Sequence, residues 1–149
     1  MRSNRSIYGA WNEKNDEYGI KREKHAKMYY DQVRNRNRKM QVTRVAQNSG
    51  FPVSDIEKIF DHIFINEHEL HGGLKRFDPS YDMAESWRRL SEMNGQHIQD
   101  HDLIMLHHEL GEFHLMKQGL SYEEAHTKIN KKFNYYEALK VWQRNRGDL

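Results

Sequence analysis

The chain has no cysteine, which excludes a disulfide scaffold, a thiol nucleophile and any Cys-ligated zinc or iron–sulfur site. No apolar run approaches the roughly 18 to 20 residues that span a bilayer, and Met1-Arg2-Ser3-Asn4-Arg5 is not followed by the apolar core of a signal peptide. Passage across a membrane would therefore have to be carried by something else. Hydrophobic residues are scarce, at 36% against 31% charged, with a mean hydropathy of −1.07. The core must be small and supplemented by polar segments. Two prolines and nine glycines in 149 residues suit one domain with a modest core and leave little room for a second.

Net charge is only +2, but it is unevenly spread. Between Lys21 and Arg44 stand Lys21, Arg22, Lys24, Lys27, Arg34, Arg36, Arg38, Lys39 and Arg44 against Glu23 and Asp31. That basic footprint suits phosphate, and Arg34, Arg36, Arg38 and Lys39 are its candidate nucleic-acid contacts.

The periodicity predicts a mainly α fold, a compact single-domain bundle of about five to six helices, because apolar residues recur at three- and four-residue spacing and no β alternation is clear. Residues 1–20 lack periodicity and read as a mobile arm; residues 21–149 form the helical domain. A helical pattern runs from about Lys21 to Asn48, and Ser54-Asp55-Ile56-Glu57 is a capping box for a helix burying Ile56, Ile59, Phe60, Ile63 and Phe64. His71-Gly72-Gly73 breaks the pattern, and Asp78 before Pro79 is placed to cap the next helix. Asn94-Gly95 is a turn, and a further capping box, Ser121-Tyr122-Glu123-Glu124, opens a late helix before the last one at about Tyr135 to Gln143.

Asp100 to Gly119 reads as a helix apolar almost all round, which belongs in the interior. Leu103, Leu106, Leu110 and Phe113 form one stripe; His101, His108 and Glu112 share another. Burying such polar groups is costly unless they are paired or metal-bound. Nine of the ten histidines lie between His62 and His126, a density that points to acid–base catalysis, metal binding or pH switching. Surface helix positions account for several of them, His107 and His114 foremost.

His108-Glu109-Leu110-Gly111-Glu112 resembles the His-Glu-x-x-His zinc helix with Glu in place of the second His. His108 and Glu112, one turn apart, could grip one divalent ion or simply share a hydrogen bond. As a peptidase motif it is incomplete. Arg76, in a Gly-flanked loop, could clamp a phosphate with two parallel hydrogen bonds or pair with Asp78. Val45 to Ile59 has helix-turn-helix spacing, but Asp55 and Glu57 at the head of its second helix would repel phosphate, which favours a structural corner over a DNA-reading one.

Taken in order, Tyr29-Tyr30, Val45-Ala46-x-x-x-Gly50, Ile59-Phe60-x-His62-Ile63-Phe64, His68, Arg76-Phe77-Asp78-Pro79-x-Tyr81-Asp82-Met83-Ala84, Trp87, His101-Asp102, His108-Glu109-x-x-Glu112 and Ala125-His126 span roughly residues 24–142. This series resembles the C-terminal toxin domains of bacterial polymorphic toxin systems, also found appended to phage minor head proteins. The resemblance implies a secreted or delivered effector acting in the target-cell cytoplasm, by type a nuclease, neutralised by a cognate immunity protein.

The residues agree in kind, since a phosphodiesterase needs a base, an acid and a cation at the phosphate. His108 or His101 would serve as base, His68 or His62 as acid, Arg76 as clamp, and Asp78 or Glu112 would orient an imidazole. RNA supplies its own 2′-hydroxyl nucleophile and would need no cofactor; this route is slightly favoured. DNA would need a water activated by a divalent metal (Zn, Mg or Mn) on His108, Glu112 and another ligand. The rivals are a metal-dependent hydrolase of another substrate and a non-enzymatic helix-turn-helix-like DNA-binding protein.

Overall fold

The computed structural model describes residues 17–147. Of the expected arm, residues 1–16 lie outside the described residues, whereas residues 17–20 already belong to a helix. Among the described residues the chain forms α1 (Glu17–Asn35), α2 (Arg38–Ser49), α3 (Val53–Phe60), a π-helical turn (Asp61–Ile65), strands β1 (His68–Leu70) and β2 (Gly73–Lys75), then α4 (Tyr81–Leu90), α5 (Asp100–Lys117), α6 (Tyr122–Asn130) and α7 (Tyr135–Asn145). The architecture is mainly α, as the periodicity predicts.

Four boundaries differ from the sequence reading. The single helix expected over residues 21–48 is broken at Asn37, whose backbone (φ −59°, ψ 114°) leaves the helical region and whose side-chain oxygen accepts from Met40 N at 2.8 Å. Asparagine offers the backbone this local alternative, so the chain stops and restarts as α2. The Ser54 capping box does not form: α3 starts at Val53 behind Pro52 with no side-chain cap, and Glu57 lies 3.6 Å from Arg38 instead. Asp78 does not cap α4; Ser80 does, its backbone extended (φ −115°, ψ 126°) and its hydroxyl accepting from Met83 N at 3.3 Å, so the helix starts two residues beyond Pro79. Residues 68–75 form a small antiparallel hairpin, pairing His68 with Lys75 and Leu70 with Gly73. Its turn uses Gly72 and Gly73 at φ +100° and +114°, where a side chain would be strained.

Helix α5 is the axle, packed against α3, α4, α6, α7 and the π turn. The apolar core between them is strongly aromatic: Tyr30, Phe60, Phe64 and Trp87 are fully buried, with Tyr30–Phe64 and Phe64–Trp87 ring centroids 4.9 and 5.3 Å apart. Two local features aim side chains at one flank of α5. In the π turn, Asn66 N–H reaches back to Asp61 O at 2.7 Å, and this wider turn buries His62, Ile63 and Phe64 in succession. On α5, Gly111 faces α6 so closely that a Cβ there would meet the Ile129 side chain, with Cγ1 at 2.8 Å. A mid-helix glycine costs about 0.5–1 kcal/mol relative to alanine, and here it lets α6 bring His126 up to α5.

Candidate metal centre

Three helical segments deliver five ionisable side chains to one buried point: His62 from the π turn, His108, Glu109 and Glu112 from α5, and His126 from α6. Glu109 and Glu112 are three apart on α5 and so share a face, with His108 beside them. Glu112 is the hub. Its Oε1 lies 2.8 Å from His62 Nε2, and its Oε2 lies 3.2 Å from His108 Nε2 and 3.0 Å from His126 Nδ1. His108 Nε2 and His126 Nδ1 are themselves 3.3 Å apart. Glu109 stands slightly back, 3.7 Å from His62 and 3.9 Å from His108.

The tautomers matter to what this cluster can hold. His108 Nδ1 is 2.8 Å from the Phe133 carbonyl, an acceptor only, so Nδ1 carries the proton. A neutral His108 then turns its Nε2 lone pair on the Glu112 carboxylate, which is repulsive unless a proton or a metal cation lies between them. A backbone carbonyl holding the far nitrogen is the usual support for a metal-binding imidazole. His126 Nε2 is similarly backed by the Asn130 amide at 3.4 Å; with that amide turned so that its oxygen accepts, Nδ1 is free to ligate.

Without a cation His108 takes the positive charge. Against the burial that would lower it, the hydrogen bond to Glu112 and the charge of Glu109 raise the His108 pKa to about 9. Burial and then the Glu112 charge push Glu109 up to about 7. Glu112 moves the other way: burial opposes it, but hydrogen bonds from His108, His126 and His62 hold its carboxyl well below the usual range. Among the described residues no lysine or arginine pairs with either carboxylate in this centre.

The centre opens into a cleft of about 720 Å³. His108, Glu109, Glu112 and His126 line it together with the hairpin (Glu69, Leu70, His71, Lys75), Phe77 to Ser80, and Tyr122, Glu123, Tyr135 and Tyr136. Lys75 stands there against Glu69, Asp78 and Glu123, so the walls are acidic on balance.

Of the expected site residues, the structure brings His62, His108 and Glu112 together. His68 is one step behind, donating from Nε2 to the His62 carbonyl at 3.0 Å and stacked on Phe77 at 4.1 Å; burial lowers its pKa. It positions His62 and does not join the cluster. Arg76 is exposed, its Nε turned to the Ile65 carbonyl at 3.4 Å, and Asp78 sits at the rim 4.0 Å from Lys75. His101, two turns up α5, belongs to a separate buried knot. There Arg89 grips Asp102 through Nε and Nη2 at 2.8 and 2.9 Å and donates to His101 Nε2 at 3.1 Å, beside Trp142. Burial, with help from Arg89, pushes the His101 pKa down to about 4, and its Nδ1 is buried without a partner. That knot ties α4, α5 and α7 together. The basic residues are partly spent on ion pairs: Arg34 with Asp31, Arg38 with Glu57 and Asp61; Arg36 and Lys39 are exposed.

Sequence reasoning named neither Glu109 nor His126 as a site residue. Glu109 carried a signal, since it occupies the Glu of the His-Glu pair; nothing local to His126 marks it as a ligand. Comparison of the chain with protein-family models, with curated proteins and with solved structures gives no match.

Proposed function

We propose that this chain is a metal-dependent phosphodiesterase, a nuclease whose centre holds a divalent cation on His108 Nε2, His126 Nδ1 and Glu112 Oε2. The observation that carries this reading is the spacing of those three atoms, 3.2, 3.0 and 3.3 Å apart. Ligands at 2.0–2.1 Å from a tetrahedral zinc stand about 3.3–3.4 Å from one another, so the triad, whose three residues line the cleft, is close to a ready-made face for such an ion. Two imidazoles and a carboxylate, with no thiolate, suit zinc or manganese.

Bound there, a divalent ion would supply an acidified water and positive charge at a phosphate oxygen. In such a hydrolysis a bond would form from the water oxygen to phosphorus, the bond to the leaving sugar oxygen would break, and that oxygen would take up the proton the water gives away. This chain's residues hold the geometry: Phe133 fixes His108, Asn130 backs His126, and His62 anchors the second oxygen of Glu112.

The metal-free RNA route has less support, because of the histidines meant as acid and base His62 and His108 converge on one carboxylate while His68 and His101 stand outside the centre, and the acidic walls would repel a polyanion without a cation beneath it. Nucleic acid as substrate rests on the basic face of α1 and α2 and on the resemblance to toxin domains, as do delivery into a target cell and neutralisation by an immunity protein. The acidic walls favour a second reading, a metal-dependent hydrolase of a neutral or cationic substrate.

Incubating the protein with tRNA, total RNA and plasmid, in chelator and after adding back zinc or manganese, tests this directly. Cleavage that stops in chelator and returns with metal is expected. Intact nucleic acid throughout would remove the nuclease, and cleavage indifferent to chelator would remove the metal.

A further inference from the structure

Both carboxylates of the centre face two ways. Glu112 turns Oε1 to His62 at 2.8 Å and Oε2 to His108 and His126 at 3.2 and 3.0 Å. Glu109 repeats the pattern at longer range, Oε1 to His62 at 3.7 Å and Oε2 to His108 at 3.9 Å. One cation on the His108 side uses one oxygen of Glu112. It leaves His62 Nε2, Glu112 Oε1 and Glu109 Oε1 as a second converging set of buried donor atoms.

We infer that the centre is binuclear: a second divalent cation is held by His62 Nε2, Glu109 Oε1 and Glu112 Oε1, with Glu112 bridging it to the first. This rests on the metal-dependent reading above and deepens it. Carboxylate-bridged pairs of ions about 3.5–4 Å apart clamp both the attacking and the leaving oxygen of a phosphodiester. Charge leads to the same count. Two carboxylates, one phosphodiester anion and one water that has given up a proton carry four negative charges, which two divalent cations neutralise.

The sequence builds the second set from separate parts. The π turn sets His62 inward, His68 holds its carbonyl, and the Phe77 and Phe113 rings, steeply inclined to the imidazole with centroids 5.2 and 6.0 Å from its own, wall it in. A histidine confined this way has lost its rotamer freedom before any ion arrives, which favours ligation.

The test is metal stoichiometry on the full chain, stripped with chelator, reloaded with manganese, dialysed and measured by elemental analysis, with electron paramagnetic resonance on the same samples. The wild type is expected to retain two equivalents with an exchange-coupled spectrum; His62→Ala and the near-isosteric Glu109→Gln each retain one, with an uncoupled spectrum. Circular dichroism confirms that each variant is folded, and Glu109→Gln stands in if His62→Ala is not. One equivalent in the wild type, unchanged in Glu109→Gln, overturns the binuclear centre and leaves the single-ion reading intact. No retained metal in the wild type overturns both.

Discussion

Replacing Glu112 with alanine probes the hub of the centre. In the metal-free protein this carboxylate, 1% exposed, accepts from three imidazoles at 2.8, 3.0 and 3.2 Å. Hydrogen bonds to a charged group are worth about 1.5–3 kcal/mol each, but they are not additive around one acceptor. The better guide is the loss of one partner from a buried ion pair, about 3–5 kcal/mol, because His108 is left without the charge that raises its pKa to about 9. Against a total stability of about 5–15 kcal/mol this is a large fraction. At a urea slope of about 2 kcal/mol per molar, the unfolding midpoint in chelator should fall by about 1.5–2.5 M. Metal provides the second arm of the assay. At a free concentration of 100 times its dissociation constant, an ion bound only by the folded state adds about 2.7 kcal/mol. Zinc should therefore raise the wild-type midpoint by about 1.3 M and leave that of Glu112→Ala unmoved. A variant within about 1 kcal/mol of wild type in chelator, or one stabilised equally by zinc, would refute the reasoning.

Two further outcomes follow from the packing around the centre. Gly111→Ala places a methyl against Ile129, so it should cost about 1–3 kcal/mol in denaturant and weaken metal binding by moving α6 and His126 away; Gly111→Ala combined with Ile129→Val should recover part of both, and a metal affinity unchanged in the single variant would contradict the account. His101 titrates well below an ordinary histidine, at about 4, so the unfolded chain takes up its proton first as pH falls. The stability it protects is fully present above about pH 6.5 and is lost as pH falls toward 4, on the order of 1–2 kcal/mol after allowance for solvent screening. His101→Gln should flatten that part of the stability–pH curve, and curves that run parallel would show the assignment to be wrong.

How much of this was legible in the sequence depended on whether a signal was local. The interior character of α5 could be read from residues 100–119 alone, because a helix apolar all round has nowhere else to go. The face shared by His108 and Glu112 followed from the same periodicity. That His101 lies on this face but serves another cluster did not, since two turns of helix separate neighbours that look equivalent in projection. Which side chains meet them depends on α4 in one case and on α6 and the π turn in the other. His126 was invisible as a ligand because its approach depends on a glycine in a different helix, Gly111. The hairpin escaped notice because three-residue strands are too short for alternation to register, and the π turn because its apolar spacing passes for ordinary helix. Arg76 showed the opposite limit: a loop arginine beside Asp78 reads as a phosphate clamp, yet the chain turns it toward the carbonyl of Ile65.

The central claim is that His108, His126 and Glu112 are metal ligands and not merely a hydrogen-bonded knot. Crystals of the protein grown with zinc, measured on both sides of the zinc absorption edge, test it most directly. The account predicts an anomalous peak between His108 Nε2, His126 Nδ1 and Glu112 Oε2, at about 2.0–2.2 Å from each. Well-ordered crystals showing no peak there, or zinc only on exposed histidines such as His71 and His97, would contradict it.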